Sequence, residues 1–239
     1  MRTRVFRTAG LASAALTISL LLVGYVSETV TRGGTITGSV TLTGTPPPQP
    51  AHAVTDRTQV PACGTTVEND EVVTGTGGRL ANAVVWIDAI ERGAPARRAD
   101  IVLAQQGCRF VPRIQATTRN SRVTVTSGDP ALHNVHAKLG RRTAFNLAMP
   151  TKGVRINRTL NQPGVIELNC DAGHTWMHAF IHVFDHPYYA VTGADGTFTI
   201  PNVPPGQHTV KIWHERYGIQ TRQITVTAGG TATWNATVH

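Results

Sequence analysis

Cys170, His174 and Met177 stand in the stretch Leu168-Asn-Cys-Asp-Ala-Gly-His-Thr-Trp-Met177, a C-x3-H-x2-M spacing. A thiolate, an imidazole and a thioether on one short loop can turn toward a single point. Soft sulfur combined with imidazole suits copper. Two His and one Cys in a trigonal set, with a long axial Met, is the arrangement of blue-copper electron-transfer centres. Zinc is the fallback and a weaker match, because Met is a poor zinc ligand. The set needs one more imidazole. Asp129-Pro-Ala-Leu-His-Asn-Val-His136 offers two candidates, His133 and His136.

The elements that must position these groups read as strands. Gly164-Val-Ile-Glu-Leu-Asn169 alternates just before the loop, and Arg122-Val-Thr-Val-Thr126 precedes the His-bearing stretch. Val and Thr recur in short alternating runs, and Gly and Pro are frequent between them, which is the pattern of β structure. Strands are expected at 101–105, 109–117, 122–126, 155–160, 165–170 and 179–184, separated by turn signals such as Gln162-Pro-Gly164. Short strands at this spacing suggest a Greek-key sandwich. Ile36, Val40 and Leu42 share parity, so they fall on one face of a strand over 34–44, and Gly38 marks a bulge or a close backbone approach. Leu80–Asp88 is a strong strand, whereas 51–78 is loop-like. Residues 190–200 read as a hairpin about Asp195-Gly196. The stretches 220–227 and 231–238 read as the last hairpin. Outside the N-terminus no segment has helical periodicity.

The N-terminus is basic (Arg2, Arg4, Arg7) and then apolar from Leu11 to Val26, which resembles a secretory leader. It is either a cleaved signal or an uncleaved membrane anchor, and both export the rest. Net charge is +8, three charges of which lie in the leader, leaving about +5 or +6 on the exported part as Glu28 stays or leaves. That excess can steer acidic partners. No Lys/Arg run is interleaved with aromatics, and export also argues against nucleic acid. Three cysteines in an exported chain are an odd count. The copper reading resolves the parity by pairing Cys63 with Cys108 and leaving Cys170 as a thiolate. The other two pairings leave no thiolate at the motif.

Residues from about Asp100 to Pro187 resemble a cupredoxin of the amicyanin and plastocyanin group. The carriers of the resemblance are His133-Asn-Val-His136 and Cys170-x3-His174-x2-Met177. The resemblance implies one type 1 copper held by His133, Cys170, His174 and Met177. It also implies that Asn134 ties the two ligand loops together by hydrogen bonds. The loop is one residue longer than the C-x2-H-x2-M of amicyanin-type loops, with Gly173 the addition. It has the spacing of the second half of the binuclear copper motif in cytochrome oxidase subunit II, but lacks the second Cys of that site.

The flanks resemble a carboxypeptidase regulatory-like (transthyretin-like) β-sandwich, on Gly34-x-Ile-x-Gly-x-Val40, Leu80–Trp86 and Thr192–Gly206. The expected fold is therefore all-β. Residues 1–30 are a signal peptide or anchor, 33–98 and 188–239 build one sandwich, and a cupredoxin domain over 99–187 is inserted between its strands.

Other polar residues carry weaker signals. His178 and His182 share one strand face and read as structural residues, an exposed patch or a second metal site. Trp176 covers the metal edge or simply packs. Trp213-His-Glu215 ends a flanking strand and could lie over the copper region. Asn157-Arg-Thr159 and Asn235-Ala-Thr237 fit a glycosylation sequon, a pattern that also arises by chance. No Ser-His-Asp pattern or paired-carboxylate motif indicates catalysis. The expected function is one-electron transfer by a periplasmic or envelope copper protein with a redox partner, and not an enzyme. The alternative is an envelope module that binds copper, a glycan or a protein without a redox role.

Overall fold

The computed structural model describes residues 24–239. The leader and its export role fall almost wholly outside them. No helix among the described residues is long and apolar enough to cross a membrane.

The strands of the four large sheets are numbered β1 to β16. They are β1 (Gly34–Leu42), β2 (Val84–Asp88), β3 (Ile101–Gln105), β4 (Phe110–Val111), β5 (Ile114–Thr118), β6 (Ser121–Ser127), β7 (His133–Leu139), β8 (Arg142–Met149), β9 (Arg155–Leu160), β10 (Gly164–Asn169), β11 (His178–Phe184), β12 (Tyr189–Val191), β13 (Thr197–Val203), β14 (Gly206–His214), β15 (Gly218–Val226) and β16 (Thr231–Val238). The chain is all-β and folds as two sandwiches. One pairs the sheet β9-β6-β3-β4 with the sheet β8-β7-β10-β11-β5. The other pairs β12-β2-β14-β15 with β13-β1-β16.

Each sandwich has its own core, because alternate side chains of its strands point inward. Leu103, Val123, Val135, Leu168 and Ile181 are buried in the first, and Ile36, Val85, Ile200, Val210 and Ile212 in the second. Ile36, Val40 and Leu42 are all buried, as their parity requires. At Gly38 a Cβ would collide with the Trp234 carbonyl, so β16 runs beside β1 only because that residue lacks a side chain. Val54, Cys63 and Val67 precede the first sandwich in sequence yet bury in its core.

Three local readings differ from the structure. The strand expected over 109–117 is split into β4 and β5, because Pro112 lies between them and cannot donate to a ladder. The turn at Asp195-Gly196 does not close a hairpin. It carries the chain between sheets, since β12 pairs with β2 and β13 with β1. The last hairpin is β14–β15, while β16 crosses to pair parallel with β1. A turn signal marks a chain reversal but does not say which sheet the next strand joins.

Candidate metal centre

Strand register assembles the site. β10 and β11 are antiparallel neighbours whose last pair is Asn169 with His178, so residues 170–177 form the loop between them. β7 flanks β10 on its other side and pairs His136 with Asn169. His133, at the start of β7, therefore extends past the end of β10 and lies beside the loop. Gly173 takes a φ of 89°, a left-handed conformation that suits the residue without a Cβ.

His133 and His136 are three apart on one strand, so they must face opposite sides of the sheet. His133 is fully buried and enters the cluster. His136 points outward, with Nδ1 2.8 Å from Asp171 Oδ2 and Nε2 2.9 Å from Thr143 Oγ1.

Three donor atoms converge. His133 Nδ1 lies 3.2 Å from His174 Nδ1, and Cys170 Sγ lies 4.0 Å from the first and 3.6 Å from the second. The point equidistant from all three is about 2.1 Å from each, close to the metal–nitrogen bond length of about 2.0–2.1 Å known for zinc. The donor set is two imidazoles and a thiol, all buried. Met177 is buried in the same core and closes the loop, its N–H donating to the His174 carbonyl at 3.0 Å. This soft, mixed set fits copper. Two neighbouring groups of donors contain Cys63 or Cys108, but these two form a disulfide and have no thiolate to offer. Cys170 is the free cysteine, and it is buried.

The surroundings favour an ionised thiol. Burial alone would raise the Cys170 pKa. Hydrogen bonds from His133 and His174 and from the backbone N–H groups of Asn134 and Ala172 outweigh it and draw the thiol down to about 6. Burial likewise opposes a charge on His133, but Asp129 and Cys170 push it up to about 9. Asp129 Oδ2 sits 3.0 Å from His133 Nε2. The carboxylate is itself held by the N–H groups of Gly107 and Cys108, at 2.7 and 2.9 Å. Asn134 joins the two loops: its Oδ1 accepts the Asp171 N–H, and its Nδ2 donates to Asp171 Oδ2 and Asn146 Oδ1.

His174 is covered on its far side. Its Nε2 lies 3.5 Å from Cys63 Sγ, at the end of the short helix Val60–Cys63. Trp176 meets His174 edge-on at 5.5 Å, and its Nε1 donates to the Cys108 carbonyl at 2.9 Å. Pro61, Ala62, Pro130, Leu132 and Ala172, with Thr58 and Gln59, line a shallow depression of mixed polarity around this edge.

Among the described residues His178 and His182 do not form a second metal cluster. His182 is buried beneath Trp86 and Trp213, and His178 Nε2 donates to the Thr175 carbonyl of its own loop at 2.9 Å. Trp213 and Glu215 reach the first sandwich but touch β11 and Arg113 rather than a donor residue of the site. Sequence reasoning gave Asp129 no role, although a carboxylate four residues before a candidate ligand was in view. Nor did it place Cys63 over His174, since no spacing rule connects two such distant segments.

Fold and site together define an all-β protein of two sandwiches, one of which carries a buried sulfur–imidazole centre. Residues 172–239 match the family model described as the carboxypeptidase regulatory-like domain. That match begins inside the loop and includes β11, which pairs in the other sandwich. No curated protein matches the chain by sequence. Similar solved structures are cupredoxins. Amicyanin from Paracoccus versutus is 19% identical, with 41% of this chain and 96% of that one covered and a TM-score of 0.32. A purple cupredoxin from Nitrosopumilus maritimus is 17% identical over 35% and 99%, with a TM-score of 0.29. A copper-containing nitrite reductase from Thermus scotoductus is 18% identical over 38% of this chain, with a TM-score of 0.31. This chain spans only 23% of that reductase.

Proposed function

We propose that this protein is an exported, one-electron carrier with a single type 1 copper centre, held by His133, Cys170, His174 and Met177. The observation that carries the reading is the convergence of a free, buried thiol with two imidazole Nδ1 atoms, at mutual distances of 3.2 to 4.0 Å. Copper bound there would supply a one-electron couple between Cu(I) and Cu(II).

The chain's own residues prepare that chemistry. His133 and Cys170 are locked by Asp129 and by backbone N–H donors, so the donor atoms keep their positions when the charge at their centre changes. Burial excludes water from the cage. The depression at His174 is where a redox partner protein would approach, and the basic excess of the exported chain favours an acidic one. We assign residues 99–187 to the copper domain and 33–98 with 188–239 to the carboxypeptidase regulatory-like sandwich, with the segment around Cys63 packed onto the former. The apolar leader supports a periplasmic or envelope location. The role is that of a carrier and not an enzyme.

Absorption and EPR titration with Cu(II), beside a Cys170→Ser control, tests the reading. Intense visible absorption that bleaches on reduction is expected from the native chain alone. Identical spectra from the two proteins would end the proposal.

A further inference from the structure

The two sandwiches meet along one face of β11. Phe180, His182 and Phe184 alternate onto that face, while Ala179, Ile181 and Val183 fill the core behind it. Trp213 packs on Phe180 and His182 at 5.2 and 4.6 Å. Trp86 meets His182 and Phe184 at 6.2 and 5.9 Å. Beside these rings lies a groove of about 520 Å³, lined by Tyr25, Trp86, Phe184 and Trp213 together with His182 and His186. Clefts of about 300–1,000 Å³ with aromatic walls and a few polar groups are the usual form of small-molecule sites. His182 pairs with Val165, so the groove is at the opposite end of β10 from Cys170 and separate from the metal centre.

The groove has a definite chemical character. Its carboxylates each face a cation: Asp88 with Lys211 at 2.7 Å and Asp185 with Arg119 at 2.9 Å, although the buried Asp185 Oδ1 makes no hydrogen bond. Burial keeps His182 and His186 uncharged at neutral pH, pulling each down to about 4. Nothing there selects an ion. Among the described residues the buried His182 Nε2 has no hydrogen-bond partner, and leaving a buried polar atom unpartnered is destabilising. The surrounding rings are tilted against one another by 38° to 54°, the offset and edge-on arrangements that accept a further aromatic ring.

We propose that this groove binds an uncharged aromatic ring bearing a hydroxyl group, a phenol or a hydroquinone. The ring would pack among Trp86, Phe184 and Trp213, and the hydroxyl would supply the partner that His182 Nε2 lacks. A hydroxyl both donates and accepts, so it serves either tautomer of the imidazole. A sugar is a poorer match, because its several hydroxyls would face carboxylates already engaged by Lys211 and Arg119.

The test is calorimetry and tryptophan fluorescence on the metal-free full chain, titrated with phenol, hydroquinone, glucose and benzoate. Saturable binding of phenol and hydroquinone is expected, weakened about tenfold in His182→Phe through loss of one hydrogen-bonding group. Trp213→Leu, which removes a wall without touching the imidazole, should weaken it as well and serves if His182→Phe does not fold. No saturable binding, equal binding by the folded variants, or tighter binding of glucose or benzoate overturns the proposal. Metal is absent throughout, so either result stands apart from the copper reading.

Discussion

Asp129 Oδ2 lies 3.0 Å from His133 Nε2, on the side of the ring opposite the nitrogen that faces Cys170 and His174. An ionised carboxylate can only accept, so it holds a proton on Nε2, and Nδ1 is the nitrogen that gives up its proton to take a metal. Burial would raise the Asp129 pKa, but hydrogen bonds from His133 and from the N–H groups of Cys108 and Gly107 hold it below the usual carboxylate range. Asp129→Asn keeps the shape but can donate to Nε2, which would drive the proton to Nδ1. We expect copper affinity to fall by about 10- to 100-fold, measured by competition with a chelator, together with a shift in reduction potential. Unchanged affinity and potential would show that Asp129 is merely structural.

The Cys63–Cys108 bridge backs His174 directly and His133 through Asp129. Cys63 Sγ faces His174 Nε2 at 3.5 Å, and the Cys108 N–H anchors Asp129 at 2.9 Å. It closes a loop with a sequence separation of 45, for which chain entropy predicts a stabilisation of about 4 kcal/mol. The double variant Cys63→Ala, Cys108→Ala should lose about that much in denaturant unfolding of the metal-free protein. It should also broaden the copper EPR signal by freeing His174. A loss under about 1 kcal/mol with an unchanged signal would mean that the bridge neither staples nor backs the site.

Three buried imidazoles set the acid limit of stability. Burial holds His182, His186 and His214 down at about 4, with Arg113 adding to the effect on His214. His186 and His214 each use Nδ1 to accept a backbone N–H two residues on, at 3.2 Å, which only the unprotonated nitrogen can do. Their folded pKa values lie below the unfolded value of about 6.5. The unfolded chain therefore binds more protons, and stability that is complete above about pH 6.5 is lost as pH falls toward 4, by up to about 3 kcal/mol per group. Urea midpoints at pH 7 and pH 5 measure this. His182→Phe should flatten the slope, and a slope equal to that of the native chain would contradict the assignment.

Most strands and the sulfur–imidazole loop were legible because both are local, but β7 and β8, over 133–149, were not expected as strands. Alternation over five to seven residues shows which side chains face inward, and C-x3-H-x2-M lies on one turn. The odd separation of His133 and His136 selects one of them only once 133–139 is known to be a strand, and the sequence leaves both as candidates. Sheet membership was not legible, because Asp195-Gly196 and the Thr227–Thr231 connection give the same turn chemistry whether the next strand stays or crosses. Burial of His182 was hidden for a similar reason. Its cover, Trp86 and Trp213, comes from two distant strands of the other sandwich.

The junction between the sandwiches has a charged clasp that can be cut. Arg113, between β4 and β5, donates through Nε and Nη2 to Glu215 at 2.5 and 2.8 Å and through Nη1 to Asp70 at 2.8 Å. Its side chain is 11% exposed and that of Glu215 is 8% exposed. Glu215 follows β14, so this two-pronged bond links one sandwich to the other. Truncating one partner of a buried pair leaves the other charge uncompensated, at a cost of about 3–5 kcal/mol. Asp70 remains beside Arg113 and offsets part of that, so Glu215→Ala should cost about 2–3 kcal/mol. Replacing both residues, as in Arg113→Met with Glu215→Leu, should restore much of the loss, because the buried pair goes together and Asp70 keeps Arg109 at 3.7 Å. Calorimetric unfolding distinguishes the cases. Glu215→Ala is expected to split one transition into two as the sandwiches uncouple, with the double variant returning toward one. A single, unshifted transition in Glu215→Ala would mean that the aromatic packing along β11 holds the junction without the clasp.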